Sequence, residues 1–291
     1  MAYISFQPKD YFKNKLYTGN GSTNAITGVG FRPDWLWLKD RSSGGGHILV
    51  DSVRGYNKSL SSENGNAEVT RTDIVTSLDS DGFTLGADSG NFVNVSGNNG
   101  VGWCWKAGTT SGIATNGSTT ITPTAYSFDQ SRGFSMVKFT GNGVDGAYLP
   151  HGLGKAPQLL FHKSTSLSES WQIYSEATGN QGRGWLNLTT AFQSSRGEWY
   201  STTPDTVNMR LSNDSHINSS GATFISYFFT SIKGYSQIGS FTGTANAAGP
   251  FIYTGFKPAW VLLRNTSASE SWQIYTWDMQ PFNEFCTTDA A

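Results

Sequence analysis

The sequence predicts an all-β chain built from tandem antiparallel β-sandwich, jelly-roll-like modules. Three observations predict it. Apolar runs are short, aromatic and β-branched, as in Trp35-Leu36-Trp37-Leu38, Trp103-Cys104-Trp105 and Phe224-Ile225-Ser226-Tyr227-Phe228. That composition suits a pleated surface, and no long stretch carries the apolar period of an amphipathic helix. Asn-Gly pairs at 20–21, 64–65, 116–117 and 142–143, with Asp-Gly pairs at 81–82 and 145–146, punctuate the runs. Such pairs close hairpins because their residues tolerate positive φ. The third observation is internal repetition.

Gly30-Phe31-Arg32-Pro33-Asp34-Trp35, Gly154-Lys155-Ala156-Pro157-Gln158-Leu159 and Gly255-Phe256-Lys257-Pro258-Ala259-Trp260 share one pattern. A proline has no ladder N–H, so each proline marks a strand start. Ser168-Glu169-Ser170-Trp171-Gln172-Ile173-Tyr174 recurs unchanged as Ser269-Glu270-Ser271-Trp272-Gln273-Ile274-Tyr275. The offset is 101 residues, the same as that from Pro157 to Pro258. In the first repeat, His47-Ile48-Leu49-Val50-Asp51 occupies this place without the Trp. Asn94-Val95-Ser96-Gly97 similarly matches Asn218-Ser219-Ser220-Gly221.

In order, residues 1–16 read as a lead segment and 17–110 as a first β-sandwich repeat. Residues 111–130 read as a Gly/Ser/Thr linker, 131–233 as a second repeat and 234–291 as a partial third. The partial repeat is expected to belong to a longer protein. The lead segment carries Tyr3, Phe6, Tyr11 and Phe12; it is too apolar for a free tail and is expected to dock onto another protein.

Composition narrows the function. Only 14% of residues are charged and the net charge is −1, against about a quarter charged in an ordinary domain. A basic nucleic-acid binder is therefore not expected. Ser (36), Thr (31), Asn (20) and Gly (34) dominate beside ten Trp, which excludes both a disordered chain and a helical bundle. Two cysteines make no disulfide framework, and the first residues lack the apolar run of a secretory signal. Synthesis in a reducing cytosol is the expectation.

The blocks Lys15-Leu16-Tyr17-Thr18-Gly19-Asn20-Gly21-Ser22, Leu78-Asp79-Ser80-Asp81-Gly82-Phe83-Thr84-Leu85-Gly86, Trp103-Cys104-Trp105-Lys106-Ala107-Gly108 and His151-Gly152-Leu153-Gly154-Lys155-Ala156-Pro157 resemble tandem repeats in tail-fibre-like and other structural proteins of marine bacteriophages. The resemblance covers the chain from about residue 13. It implies concanavalin-like β-sandwich modules in a virion appendage. The implied partners are other tail or head proteins and a host cell-surface glycan or protein. A homo-oligomer, a trimer above all, is expected, with the chain assembled in the host cytoplasm. A structural adaptor or head-decoration protein is the alternative; a tail-spike glycan hydrolase is the second.

Chemistry has little support in the residues. His47, His151, His162 and His216 show no metal-ligand spacing, so neither a metal nor another cofactor is expected. A glycosidase needs two nearby carboxylates; the best pairs are Glu169 with Glu176 and Asp79 with Asp81. Glu169 has a repeat copy at Glu270, which points to structure, and a non-enzyme is the expectation. For binding, sugars stack on exposed aromatic faces flanked by polar groups. Trp185, Trp199 and Tyr200, with Arg183 and Arg196, form the best such stretch.

Overall fold

The computed structural model describes residues 5–194, 197–279 and 285–289. The chain is all-β, with antiparallel sheets arranged as three units. Unit 1 holds β1 (Phe12–Thr18), β2 (Asn24–Ile26), β3 (Trp35–Asp40), β4 (Ile48–Asp51), β5 (Gly55–Leu60), β6 (Val69–Thr70), β7 (Val75–Asp79), β8 (Gly82–Leu85) and β9 (Asn99–Trp105). Unit 2 holds β10 (Ala125–Asp129), β11 (Phe134–Thr140), β12 (Ala147–Pro150), β13 (Leu159–Ser164), β14 (Gln172–Ser175), β15 (Gly184–Trp185), β16 (Asn208–Leu211) and β17 (Thr223–Phe229). Unit 3 holds β18 (Trp260–Leu263), β19 (Gln273–Thr276) and β20 (Cys286–Thr287).

The large sheets run β1-β9-β3-β4-β5-β6 and β10-β11-β17-β13-β14-β15, and unit 3 contributes β18-β19-β20. The order β11-β17-β13-β14-β15 thus reproduces β1-β9-β3-β4-β5, and β18-β19-β20 reproduces β3-β4-β5. In each complete unit a smaller sheet, β2-β8-β7 or β12-β16, covers one face of the large sheet. Between the two layers lie Leu36, Leu38 and Phe83 in unit 1, and Phe139, Leu160 and Phe224 in unit 2.

The opposite faces of all three sheets meet in one central core. Trp35, Trp37, Trp103, Phe161, Trp171, Tyr227, Trp272 and Ile274 belong to it. Alternation along β3 sends Trp35 and Trp37 to this core and Leu36 and Leu38 to the sandwich core; all four are buried. Trp35 lies 4.4 Å from Trp105 and 4.7 Å from Tyr227, ring centre to ring centre.

The units stand cyclically around the core. Strand register makes His47, Trp171 and Trp272 equivalent, and likewise Ser61, Trp185 and Thr287. Trp171 Nε1 of unit 2 donates to the Ser61 carbonyl of unit 1 at 2.8 Å. His47 Nε2 of unit 1 bonds the Thr287 carbonyl of unit 3 at 2.8 Å. Trp272 Nε1 of unit 3 donates to the Trp185 carbonyl of unit 2 at 2.7 Å. The same contact therefore closes the circle three times, and His47 does the work of the Trp its repeat lacks.

A loop clasp also repeats. The Asn94 carboxamide accepts from Asn20 N at 3.1 Å and donates to Ser22 O at 2.8 Å. Asn218 accepts from Asn142 N at 2.9 Å and donates to Val144 O at 3.1 Å. A Cβ at Gly19 or Gly141 would fall 2.2 Å from the carbonyl oxygen of Val95 or Ser219, respectively, so both positions require glycine.

Two expected boundaries move. The lead segment is not separate, because β1 begins at Phe12 and pairs along its length with β9. The linker is shorter than 111–130, because β10 starts at Ala125 and Ile121 is buried in the unit 2 core.

Candidate interaction site

The expected glycan-stacking stretch is built differently. Trp199 is 0% exposed, edge-on to His162 and Tyr174 in the unit 2 core. Trp185 is 7% exposed; the Arg183 guanidinium lies 4.6 Å from its ring centre, and its carbonyl is the acceptor for Trp272. Neither presents a free aromatic face, which corrects the expectation. Arg183 and Glu198 form an ion pair with each other, so the guanidinium over Trp185 is held by its own chain.

Tyr200 is half-buried with φ 52°. The Arg210 guanidinium sits 3.8 Å from its ring centre. Arg196 lies outside the described residues.

The expected docking residues face their own chain. Phe12 packs on Trp105 at 4.8 Å and Trp260 at 6.3 Å. Phe6 packs on Tyr11 at 5.5 Å and on Tyr235 at 5.4 Å. Arg132 lies 4.4 Å from the Phe6 ring centre and 3.7 Å from that of Tyr11. Phe6, Tyr11 and Phe12 are thus half-buried against their own chain. Tyr3 lies outside the described residues.

Each of the four carboxylates has a partner of its own. Asp81 accepts from Gly28 N at 2.9 Å and Gly30 N at 2.6 Å; these bonds hold its carboxyl below the usual range, opposite to what a general acid needs. Asp79 accepts from Thr84 Oγ1. Glu169 pairs with His216 at 2.5 Å, whereas Glu176 accepts from Gln158. Burial lowers His47 to about 3, His151 to about 4 and His162 to about 3. Each of these three is neutral and hydrogen-bonded inside the fold. Among the described residues, no group of three His, Cys, Asp or Glu is placed to hold a metal ion.

A buried ionic cluster joins units 1 and 2. Asp51 meets Arg54 Nε at 2.6 Å, and Arg54 reaches Glu68 at 3.0 Å. Burial alone would lower the Arg54 pKa, but Asp51, Tyr227 and Glu68 together raise it. This cluster escaped sequence reading, since it spans residues far apart in the chain; the Asp in His47–Asp51, where the other repeats carry Ser175 and Thr276, was the available signal.

The surface differs most in unit 3. Phe251 is 89% and Tyr253 81% exposed, and Phe241 and Ile252 are exposed too. The four residues of β18 are half-buried, whereas every residue of its counterpart β3 is buried. Four of the large apolar side chains exposed among the described residues thus fall within residues 241–253.

A family model described as "Domain of unknown function (DUF7483)" matches residues 7–290. The chain belongs to the DUF7483 family. The match runs across all three units, so in DUF7483 the family pattern encompasses the complete ring and not a single repeat. No curated protein and no solved structure matches the chain.

Proposed function

We propose that this DUF7483 chain is a non-enzymatic bacteriophage virion protein, a tail-fibre or similar appendage module that takes part in host-surface attachment. The observation that carries the reading is the closed three-unit core with its apolar exposure gathered on unit 3. That is the build of an assembly module: rigid inside, adhesive at one end. The resemblance of the repeat blocks to phage structural repeats supplies the setting. The neutral histidines and the charged, backbone-bonded Asp81 support a non-catalytic role.

The burial of Trp185 and Trp199 favours a second reading, a structural adaptor that joins virion proteins without touching the host. Antibody raised against the purified chain separates these. On the first reading it decorates an appendage of purified virions and blocks their adsorption. Decoration without loss of adsorption supports the adaptor. Absence of the chain from washed virions overturns both.

A further inference from the structure

A cleft of about 540 Å³ opens where unit 1 meets the start of unit 2. That size lies within the range of ligand clefts, about 300–1,000 Å³. Arg32, Asp34 and Lys106 are its charged lining. Two cations against one carboxylate make the lining net positive, in a chain whose overall charge is −1. Among the described residues, neither Arg32 nor Lys106 forms an ion pair, whereas Arg54, Arg132 and Arg183 do. Arg32 Nε donates to the Leu78 carbonyl at 3.1 Å, and Lys106 Nζ lies 5.4 Å from the Tyr11 ring centre. These partners are neutral, and a guanidinium and an ammonium each carry more donors than such contacts use.

The repeats act as an internal control on what this corner needs for folding. Asp34 Oδ2 accepts from Ala107 N at 2.8 Å, and its unit 2 equivalent Gln158 accepts from Ser231 N at 2.7 Å. That contact recurs, so it belongs to the fold. The cations do not recur. Strand register makes Lys106 equivalent to Thr230, and the shared Gly-x-x-Pro pattern makes Arg32 equivalent to Ala156. Unit 3 has Lys257 at the Arg32 position, but its ammonium lies 3.2 Å from the Trp277 ring centre. Unit 2 therefore folds with neither charge.

The cleft walls are hydroxylated and fixed. Ser52, Thr110, Thr124, Tyr126 and Ser127 line them. Thr109 and Phe128 exchange backbone bonds at 3.1 and 2.9 Å, and Gly108 N donates to Ser127 Oγ at 2.9 Å. These bonds pin the connecting segment to β10, so the cleft stands ready without a ligand.

We propose that this cleft binds an acidic saccharide. Its carboxylate or sulfate meets Arg32 and Lys106 in charge-assisted bonds, and its hydroxyls meet wall hydroxyls that can both donate and accept. The cleft gives the attachment reading a site and a ligand class, and rests on that reading for its setting.

Calorimetry on the full chain tests it. The probes are tri-galacturonate, its methyl ester, a sulfated trisaccharide and inorganic sulfate. Saturable binding of an acidic trisaccharide at one per chain is expected, and the tighter of the two names the acid group. The methyl ester, with the hydroxyls but no charge, should bind about tenfold or more weaker than tri-galacturonate if the group is a carboxylate. Arg32→Ala and Lys106→Thr, which install the unit 2 residues, should each weaken binding about tenfold at unchanged melting temperature. No saturable binding of either acidic trisaccharide overturns the proposal, as does full affinity in both variants. Inorganic sulfate binding as tightly as the trisaccharides also overturns it, by reducing the cleft to an ion site. Such failures leave the virion reading standing, because antibody decoration tests that without a sugar.

Discussion

Tyr227 Oη donates to Asp51 Oδ2 across 2.6 Å of buried space, tying the central strand of one sandwich to the fourth strand of another. Asp51 also holds Arg54, and both side chains are fully buried. Asp51→Asn leaves the Arg54 guanidinium without its closest counter-charge, and removing one partner of a buried pair costs about 3–5 kcal/mol. Tyr227→Phe removes one charge-assisted bond at about 1.5–3 kcal/mol. Denaturant unfolding should rank the variants in that order, with the double variant less destabilised than the sum. A loss under about 0.5 kcal/mol for Asp51→Asn, the range of ordinary surface substitutions, would contradict the cluster's role.

Trp199→Ala should destabilise the chain by about 3–5 kcal/mol, the usual range for deleting a buried aromatic. The reason is the buried site between His162 and Tyr174. A stacking platform would behave in the opposite way, losing glycan affinity at constant melting temperature. Calorimetry beside a glycan-array measurement on the same variant distinguishes the two.

Acid should weaken the fold well above the carboxylate range. His47, His151 and His162 have folded pKa values of about 3, 4 and 3, below the ordinary value near 6.5. Between those limits the unfolded chain binds the extra protons. The histidine contribution is therefore complete above about pH 6.5 and is lost as the pH falls below it. From pH 7.5 to 5.5 the three together should cost about 4 kcal/mol. Unfolding curves at the two pH values test this, and His162→Gln should remove about a third of the difference. A flat profile would refute the neutral, buried assignment.

The clasp residues should act as a matched pair. Asn94→Ala and Asn218→Ala each strand backbone groups in a loop, at about 1–3 kcal/mol apiece. Hydrogen exchange should open mainly the loop of the altered unit, at 20–22 or 142–144. Gly141→Ala should be harsher than Asn218→Ala, because its methyl meets the Ser219 carbonyl.

Much of the fold was legible because its signals are local. Asn-Gly and Asp-Gly pairs, prolines before aromatic runs and the duplicated Ser-Glu-Ser-Trp-Gln-Ile-Tyr block are all short-range marks. The pairing of β1 with β9 is not, since it joins Phe12 to Trp105 through a choice made by the whole sheet. The candidate site was misjudged for a related reason. Arg183, Glu198 and the glycines near them look solvent-facing one at a time, and only the ion pair holds the guanidinium over Trp185. The absence of a Trp at His47 was visible, but its Nε2 taking over that bond depends on where unit 3 lies.

The three copies of one contact, Trp171 to Ser61, His47 to Thr287 and Trp272 to Trp185, sit on a single polypeptide. Three separate subunits meeting this way would fall apart on dilution, because their assembly depends on protomer concentration. Here closure is intramolecular and governed by the effective concentration that the connecting segments impose. The circle therefore survives at any dilution the folded chain survives. Covalent fusion also frees the corners to diverge, so one can carry histidine where the others carry tryptophan, a difference that identical subunits could not sustain.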